Sequence, residues 1–218
     1  MEKYERKADI HGAMMKSSQK KRSSKKKALI EWGVILGIIA LLYITGLHTQ
    51  VIGSMQRALL WTGLMDANPS EINKNGTFLS DEDYRFIMTT AENETITLDD
   101  YRDSVIFINV WASWCPPCIA EMPTIETLYS ELKDYENIRF ILLSMDEEQN
   151  RAVNFMEKRS FKTPYMFPAS QIPAALRGTV LPTTYVISKE GQVIYEKQGL
   201  ADYSSSVFRN WLVELSRE

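Results

Sequence analysis

Cysteine and histidine are scarce in this chain. Its 218 residues include two cysteines, Cys115 and Cys118, and two histidines, His11 and His48. A structural zinc ion needs four ligands, usually two cysteine pairs or one pair supplemented by histidines. The chain has no second cysteine pair, and residues 49–218 contain no histidine. This scarcity argues against a zinc site at the cysteines and against a copper-chaperone module, which would need a nearby histidine.

Excess positive charge is also lacking outside the N-terminal tail. Residues 1–27 hold ten Lys or Arg and three acidic residues, a net charge of +7, so the total of −3 leaves −10 for the rest of the chain. A main domain this acidic is not expected to bind nucleic acid. The Lys- and Ser-rich stretch at residues 17–27 is typical of disordered chain. The tail alone could bind nucleic acid, but the segment that follows gives it a better explanation.

Residues 28–47 form a long apolar run in which Glu31 is the one charged residue. As a helix this run would extend about 30 Å, the thickness of the hydrocarbon core of a bilayer. The basic residues before it predict a cytoplasmic N-terminus. A cleaved signal peptide would end in a small-residue site, which residues 46–50 do not offer. A buried core helix is the other alternative, and the basic flank disfavours it. We therefore predict a retained transmembrane anchor, preceded by a cytoplasmic tail.

Residues 48–76 connect the predicted anchor to the rest of the chain. Apolar side chains recur at helical spacing between residues 51 and 64, which predicts an amphipathic helix. This helix would lie on the outer membrane–water interface, with Trp61 as an anchor, or would pack against the domain. Residues 66–76 are polar and rich in turn-forming residues, which favours a linker. Residues 77–218 remain as one domain.

The two cysteines lie where a predicted strand gives way to a predicted helix. Residues 104–110 are apolar and β-branched, and apolar residues recur three or four positions apart after Cys118. A helix start carries unpaired N–H groups and partial positive charge, which stabilise a thiolate and lower its pKa. We therefore predict that Cys115 attacks and that Cys118, one turn later on the same face, closes a disulfide with it. The pair would pass two electrons without a cofactor; a purely structural disulfide is the alternative.

Hydrophobic periodicity predicts the other elements of the domain. Strands separated by helices and followed by a terminal hairpin predict an α/β domain, with a mixed sheet and helices on both faces. Further strands are predicted at residues 84–88, 94–98, 138–143, 165–167, 183–188 and 193–196, and further helices at residues 151–159, 172–176 and 204–215.

The sequence around the cysteines resembles a known family. The active-site motif of thioredoxin-fold proteins is similar to Trp111-Ala112-Ser113-Trp114-Cys115-Pro116-Pro117-Cys118. With Asn109-Val110 before it and Glu121-Met122-Pro123 after it, the run resembles the membrane-anchored TlpA/ResA/CcmG-like thiol–disulfide oxidoreductases of bacterial cell envelopes. The likeness covers about residues 84–215. It implies a thioredoxin-like fold with an N-terminal β-hairpin extension, carried outside the cytoplasmic membrane.

The resemblance also assigns a place to Pro182. Thioredoxin-like proteins carry a cis proline at this point, directly before a strand and facing the C-x-x-C motif. We therefore expect the Leu181–Pro182 bond to be cis, and we expect Leu181 and Pro182 to offer backbone groups to a substrate strand. A trans proline that merely starts a strand is the alternative.

Glu121 lies three residues after Cys118, at the spacing where the TlpA/ResA-like group has an acid implicated in proton handling. Thioredoxins proper have a buried aspartate six residues before the first cysteine, and Asn109, which cannot titrate, occupies that position here. Glu121 is therefore either the acid–base partner of Cys118 or an ordinary surface glutamate near a helix N-terminus.

Four other residues around the cysteines have predicted effects. Pro116 and Pro117 lack an N–H, so donors that could bond a Cys115 thiolate are missing, which predicts a reducing pair nearer to thioredoxin than to a strong oxidant. Trp114 and Trp111 would form an apolar rim where partner peptides dock, unless Trp111 belongs to the core.

These interpretations predict a membrane-anchored reductase of protein disulfides. Its partners would be the bilayer, a thiol-type electron donor in the membrane, and protein disulfides outside it, where the compartment is oxidising. One branch is reduction of apocytochrome c, and the other is general disulfide reduction or isomerisation. A peroxiredoxin-type peroxidase would need a Thr two or three residues before its attacking Cys, which residues 111–114 lack. A non-catalytic tethered binding module is disfavoured by the intact C-x-x-C.

Overall fold

The structure, a computed structural model, divides the chain into two compact units, Met1–His48 and Thr49–Glu218. The residues that it describes are 32–37, 41, 65–69 and 76–218.

In the first unit, residues 32–37 are helical. They belong to the predicted anchor at residues 28–47, most of which lies outside the described residues. The predicted amphipathic helix at residues 51–64 lies wholly outside them. None of the helices that the structure describes is both long enough and apolar enough to cross a bilayer.

The second unit contains a seven-stranded mixed sheet. Its strands are β1 (Ile87–Thr90), β2 (Thr95–Thr97), β3 (Val105–Trp111), β4 (Ile138–Ser144), β5 (Tyr165–Pro168), β6 (Thr183–Ile187) and β7 (Val193–Gln198). Their order across the sheet is β2-β1-β5-β4-β3-β6-β7. Strands β3, β4 and β5 run parallel, and the remaining pairs are antiparallel. Strand β3, which leads into the two cysteines, lies between β4 and β6.

Helices connect the strands close to the predicted positions. They are α1 (Asp81–Tyr84), α2 (Pro116–Leu132), α3 (Gln149–Arg159) and α4 (Ser206–Leu215), with 3₁₀ helices at Leu98–Tyr101 and Ala174–Leu176. The predicted N-terminal hairpin is confirmed, since β1 and β2 pair antiparallel. Its predicted start at Tyr84 is wrong, because Ser80 caps α1 and exchanges hydrogen bonds with Asp83, a pattern that favours a helix start.

Side chains of β3 alternate between two cores. Val105, Phe107 and Trp111 pack with α2, α3 and α4, whereas Ile106 and Ile108 pack with α1 and the 3₁₀ helices. A strand buried on both faces has no polar face, which accounts for the continuous apolar run. The prediction of helices on both faces holds only in part, because the three longer helices lie on one face of the sheet.

The described part of the predicted linker contacts the domain. Asp66 bridges Asp202 in parallel register, and the Ala67 N–H donates to the Asp202 carbonyl over 2.8 Å. Ala67 is buried in the same core as the two cysteines. Residues 65–67 are therefore held against the loop before α4.

Candidate active site

The two cysteines form a disulfide at the junction of β3 and α2. Their Cα atoms are 5.3 Å apart. Cys115 is the N-cap of α2, and its Sγ accepts a hydrogen bond from the Cys118 N–H over 3.3 Å. Cys115 is 4% exposed and Cys118 is fully buried. Cys115 is therefore the more exposed of the two sulfur-bearing residues, and its role as the attacking cysteine stays a prediction.

Pro116 and Pro117 occupy the first two positions of α2. Because neither has an N–H, the first helix donor available to Cys115 is the Cys118 N–H. A helix N-terminus normally offers more unpaired donors to an anion. The modest stabilisation of the Cys115 thiolate therefore stays a prediction.

The Leu181–Pro182 peptide bond is cis, as the resemblance implied. Its position follows from strand register: Thr183 is the partner of Val110, the penultimate residue of β3. Pro182 and Leu181 therefore lie at the end of the sheet where β3 leads into the cysteines. Pro182 is buried, and its carbonyl accepts from the Gly199 N–H over 2.8 Å.

The backbone of Leu181 is available for pairing. In residues 76–218, no hydrogen-bond partner is found for its N–H or its carbonyl, and its side chain is only partly buried. Backbone groups left unpaired at the end of a strand are those that an added strand uses.

Glu121 is not a surface residue. It is 0% exposed, so the alternative of an ordinary helix-surface glutamate is wrong. The Asn109 side-chain Nδ2 donates to Glu121 Oε1 over 2.6 Å, and the Ala201 N–H donates to Oε2 over 3.2 Å. Asn109 Nδ2 also donates to the Thr184 hydroxyl over 2.9 Å. This network ties α2 to β3, to β6 and to the loop before α4.

Burial raises the pKa of Glu121 from 4.5 to about 8, against the opposing effects of the hydrogen bonds from Asn109 and Ala201. Desolvation disfavours the charged carboxylate more than these two donors favour it. The carboxyl group can therefore hold or release a proton near neutral pH. It lies three residues after Cys118 on α2, a spacing that places two side chains on one helix face.

The two tryptophans of the motif have different environments. Trp114 is 56% exposed beside Cys115, whereas Trp111 is 0% exposed and packs against Phe155 of α3. The predicted docking rim is therefore wrong for Trp111, which belongs to the core, and remains a prediction for Trp114.

Sequence reasoning missed Asp146, which lies just after β4. Its carboxylate accepts hydrogen bonds from the Ser113 N–H over 2.9 Å and from the Ser113 hydroxyl over 2.6 Å. It also accepts one from the Ser144 hydroxyl over 2.9 Å. Since β3 and β4 are parallel neighbours with Trp111 opposite Ser144, the ends of both strands meet at the active site. The available sequence signal was the pair Ser144 and Asp146, two polar residues at the end of the strand next to β3.

No group of three or more His, Cys, Asp or Glu residues that could hold a metal ion occurs among the residues the structure describes.

Comparisons with known proteins point to one fold and one family. The sequence profile of the AhpC/TSA family matches residues 80–196. The thiol–disulfide oxidoreductase ResA of Bacillus thuringiensis subsp. konkukian is 33% identical over 115 residues, which cover 52% of this chain and 66% of ResA. ResA of Bacillus subtilis is 27% identical over 110 residues, or 50% of this chain and 61% of that protein. Each match thus covers less than two thirds of the relative.

A solved structure supports the fold. The thiol:disulfide interchange protein of the thioredoxin family from Chlorobium tepidum TLS superposes with a TM-score of 0.52 at 19% identity, over 61% of this chain and 93% of that one. The thioredoxin-like fold and the resemblance to ResA that the motif indicated are confirmed.

Proposed function

The chain belongs to the AhpC/TSA family, and we propose that it is a thiol–disulfide oxidoreductase that reduces disulfides in other proteins. The observation that carries the proposal is the Cys115–Cys118 disulfide at the start of α2, at the sheet end that also holds the cis Leu181–Pro182 bond. The two ResA relatives are named for this activity.

The reaction begins with the reduced cysteine pair. The Cys115 thiolate attacks one sulfur of the substrate disulfide, that S–S bond breaks, and one substrate thiolate leaves. Cys118, once deprotonated, attacks the Cys115 Sγ and releases the second substrate thiolate. Two electrons pass to the substrate, and the Cys115–Cys118 disulfide forms. A thiol reductant restores the dithiol by the reverse exchange.

Glu121 is the proposed base for Cys118. A carboxyl group with a pKa of about 8 is matched to proton transfer near neutral pH. Glu121 takes the Cys118 proton before resolution and returns it when the pair is reduced. Leu181 offers its backbone N–H and carbonyl to a substrate strand, and Trp114 gives that strand an apolar contact.

We further propose that residues 28–47 anchor the protein in the bacterial cytoplasmic membrane, with residues 1–27 in the cytoplasm. The clustered Lys and Arg of the tail and the apolar run support this arrangement. The domain then faces the cell exterior or periplasm, where a thiol-type donor in the membrane supplies its electrons. Its substrates are protein disulfides; apocytochrome c is one candidate, and a broader set of envelope proteins, for general reduction or isomerisation, is the other.

Reduction of insulin by dithiothreitol tests the activity. The full-length protein in detergent is expected to accelerate the reaction, and Cys115→Ser is expected to abolish the acceleration. Val207→Ala, a change at an exposed residue of α4, serves as the matched control. A wild-type rate equal to that of Cys115→Ser contradicts the proposal.

Trapping in the membrane identifies the substrates. Cys118→Ser removes the resolving thiol, so Cys115 should retain partners as mixed disulfides that mass spectrometry can identify. Captured proteins with C-x-x-C-H haem sites support apocytochrome c as the substrate, whereas a broad set of envelope proteins supports general reduction. A Cys118→Ser sample with no more adducts than Cys115→Ser argues against protein substrates altogether.

A further inference from the structure

Asp146 is a buried carboxylate that the proposed reaction does not use. It is 7% exposed and accepts three hydrogen bonds from Ser113 and Ser144. Its own N–H donates to the Ser144 hydroxyl over 3.2 Å. Three of the roughly four acceptor sites of the carboxylate are therefore used inside the protein, by residues at the ends of β3 and β4.

The contact with Ser113 attaches this charge to the loop that leads into Cys115. Ser113 is bound through both its N–H and its hydroxyl, and it is two residues before Cys115. Two residues of chain span at most about 7 Å between Cα atoms. Burial limits the solvent screening between Asp146 and Cys115, since exposed charges are screened far more than buried ones.

We propose that Asp146 is a positioning residue for Cys115, which fixes the loop before the cysteine and whose negative charge limits stabilisation of the Cys115 thiolate. This role rests on the proposed function, since it concerns the cysteine that begins the thiol–disulfide exchange. Asp146 and the Pro116-Pro117 pair then act in the same direction. The two prolines remove N–H donors from the first turn of the helix, and the negative carboxylate offsets the partial positive charge at the helix N-terminus. Both keep the cysteine pair reducing.

The effect of Asp146 on the Cys115 pKa has to be distinguished from the effects of other charged groups nearby. Glu147, Glu148 and Arg151 line a cavity with Trp114 and Asp146. Arg151 forms a two-pronged ion pair with Glu148, so these two charges largely cancel. Glu147 is exposed, and solvent screens it.

Other elements near Cys115 contribute one more titratable group. Glu121 faces the interior from α2 and is held by Asn109 and Ala201. The loop of residues 178–182 carries no titratable side chain.

Titration of the Cys115 thiol in full-length protein carrying Cys118→Ser tests the proposal. The pH dependence of iodoacetamide alkylation gives the pKa of Cys115. Asp146→Asn keeps the shape of the side chain and removes its charge, so it should lower this pKa by about one unit, a tenfold gain in thiolate at pH values below it. Glu147→Gln removes an exposed charge from the same loop and should leave the pKa within about 0.3 units.

A second readout uses the intact cysteine pair. Equilibration with glutathione measures the reduction potential of the Cys115–Cys118 pair. The disulfide of Asp146→Asn should be about tenfold easier to reduce than that of wild type, a reduction potential higher by about 30 mV. An unchanged or raised Cys115 pKa in Asp146→Asn overturns the proposal, as does an equal shift in Glu147→Gln.

If Asp146→Asn does not fold, Asp146→Ser takes its place. It also removes the charge and should lower the Cys115 pKa in the same direction; an unchanged or raised value refutes the proposal. None of these titrations needs a protein substrate, so failure in the insulin assay leaves them interpretable.

Discussion

The stability of the oxidised protein should fall as the pH rises from 5 to 8, because of Glu121. Burial raises the pKa of this carboxyl from 4.5 to about 8. Below pH 4.5 the group is protonated in both the folded and the unfolded chain. Between pH 4.5 and 8 the unfolded chain releases the proton while the folded protein keeps it, so unfolding becomes easier as the pH rises. Well above pH 8 both states are ionised, and no further loss is expected.

The magnitude follows from the separation of the two pKa values. Each pH unit inside this window costs up to about 1.4 kcal/mol, so the free energy of unfolding should drop by about 3.5 kcal/mol between pH 5 and pH 8. The window is unusually free of other titrations. Residues 49–218 contain no histidine, and the disulfide-bonded cysteines do not titrate.

Urea unfolding at several pH values measures this loss. The comparison is between wild type and Glu121→Gln, both full-length, oxidised and in detergent, so that His11 and His48 contribute equally to both. The amide of the variant can be accommodated, since Asn109 Oδ1 is buried without a partner and can accept from it. Glu121→Gln should have a nearly flat profile across the window, while Glu214→Gln, at an exposed position of α4, should follow wild type.

Parallel profiles for wild type and Glu121→Gln would show that burial does not hold the Glu121 carboxyl protonated. The proposed proton transfer between Glu121 and Cys118 would then lose its physical basis. A profile that rises with pH in wild type alone would be equally damaging, since it would mean that the folded protein favours the carboxylate.

Three further predictions concern single residues around the cysteines. Asn109→Ala removes a donor that favours the Glu121 carboxylate, so it should raise the pKa of Glu121 further and cost about 1–3 kcal/mol of stability; an unchanged midpoint in the same urea titration contradicts this. Trp114→Ala should raise KM for insulin several-fold without changing the rate at which dithiothreitol reduces the protein. Trp111→Ala should instead lower the free energy of unfolding by about 3–5 kcal/mol, because it leaves a cavity. Equal shifts of the urea midpoint in the two variants would refute the assignment of Trp114 to the docking rim and Trp111 to the core. Pro182→Ala should lower kcat/KM for insulin more than the rate with dithiothreitol, because it alters the backbone offered to a substrate strand, and equal losses with both would argue against strand pairing.

The elements that carry the chemistry were predictable because their sequence signals are strong. Strand β3 is a continuous apolar run, and α2 has a regular apolar face that starts directly after the cysteines. The position of Cys115 at the helix start followed from these two signals alone. Tyr84 was misassigned to a strand because its own aromatic character favours one, whereas Ser80 and Asp83 set the local structure by capping α1.

The arrangement of the helices could not be read from local patterns. Strands β3, β4 and β5 run parallel and lie side by side in one direction across the sheet. Crossovers between parallel strands are right-handed, so α2 and α3 must lie on the same face. The prediction of helices on both faces came from the alternation of strands and helices along the chain. Strand order, which depends on long-range pairing, places the three longer helices on one face and leaves α1 and the 3₁₀ helices on the other.

Sequence reasoning could not predict which of the acidic residues at the site are buried. Periodicity indicates which face of α2 is apolar, but Glu121 interrupts that face, and a charged residue there is expected at the surface. The buried position of Glu121 depends on Asn109, twelve residues earlier, and on the Ala201 N–H, eighty residues later. Neither contact has a local sequence signal. The same holds for Asp146, whose partner Ser113 lies on the neighbouring strand's exit loop.

The pairing of Asn109 with Glu121 has a chemical logic that depends on where the acid sits. An aspartate at position 109 would place a second carboxyl where Asn109 Nδ2 now lies 2.6 Å from Glu121, and two carboxyls at that distance share one proton. With Asn109 in place, the Asn109–Glu121 pair has a single carboxyl group, and that carboxyl accepts a hydrogen bond from Asn109 instead of facing a second carboxyl. That group is on the same helix as Cys118, three residues after it. The proposed acid–base role of Glu121 therefore belongs to the second half of the exchange, when Cys118 attacks, while the proposed effects of the prolines and of Asp146 act on Cys115.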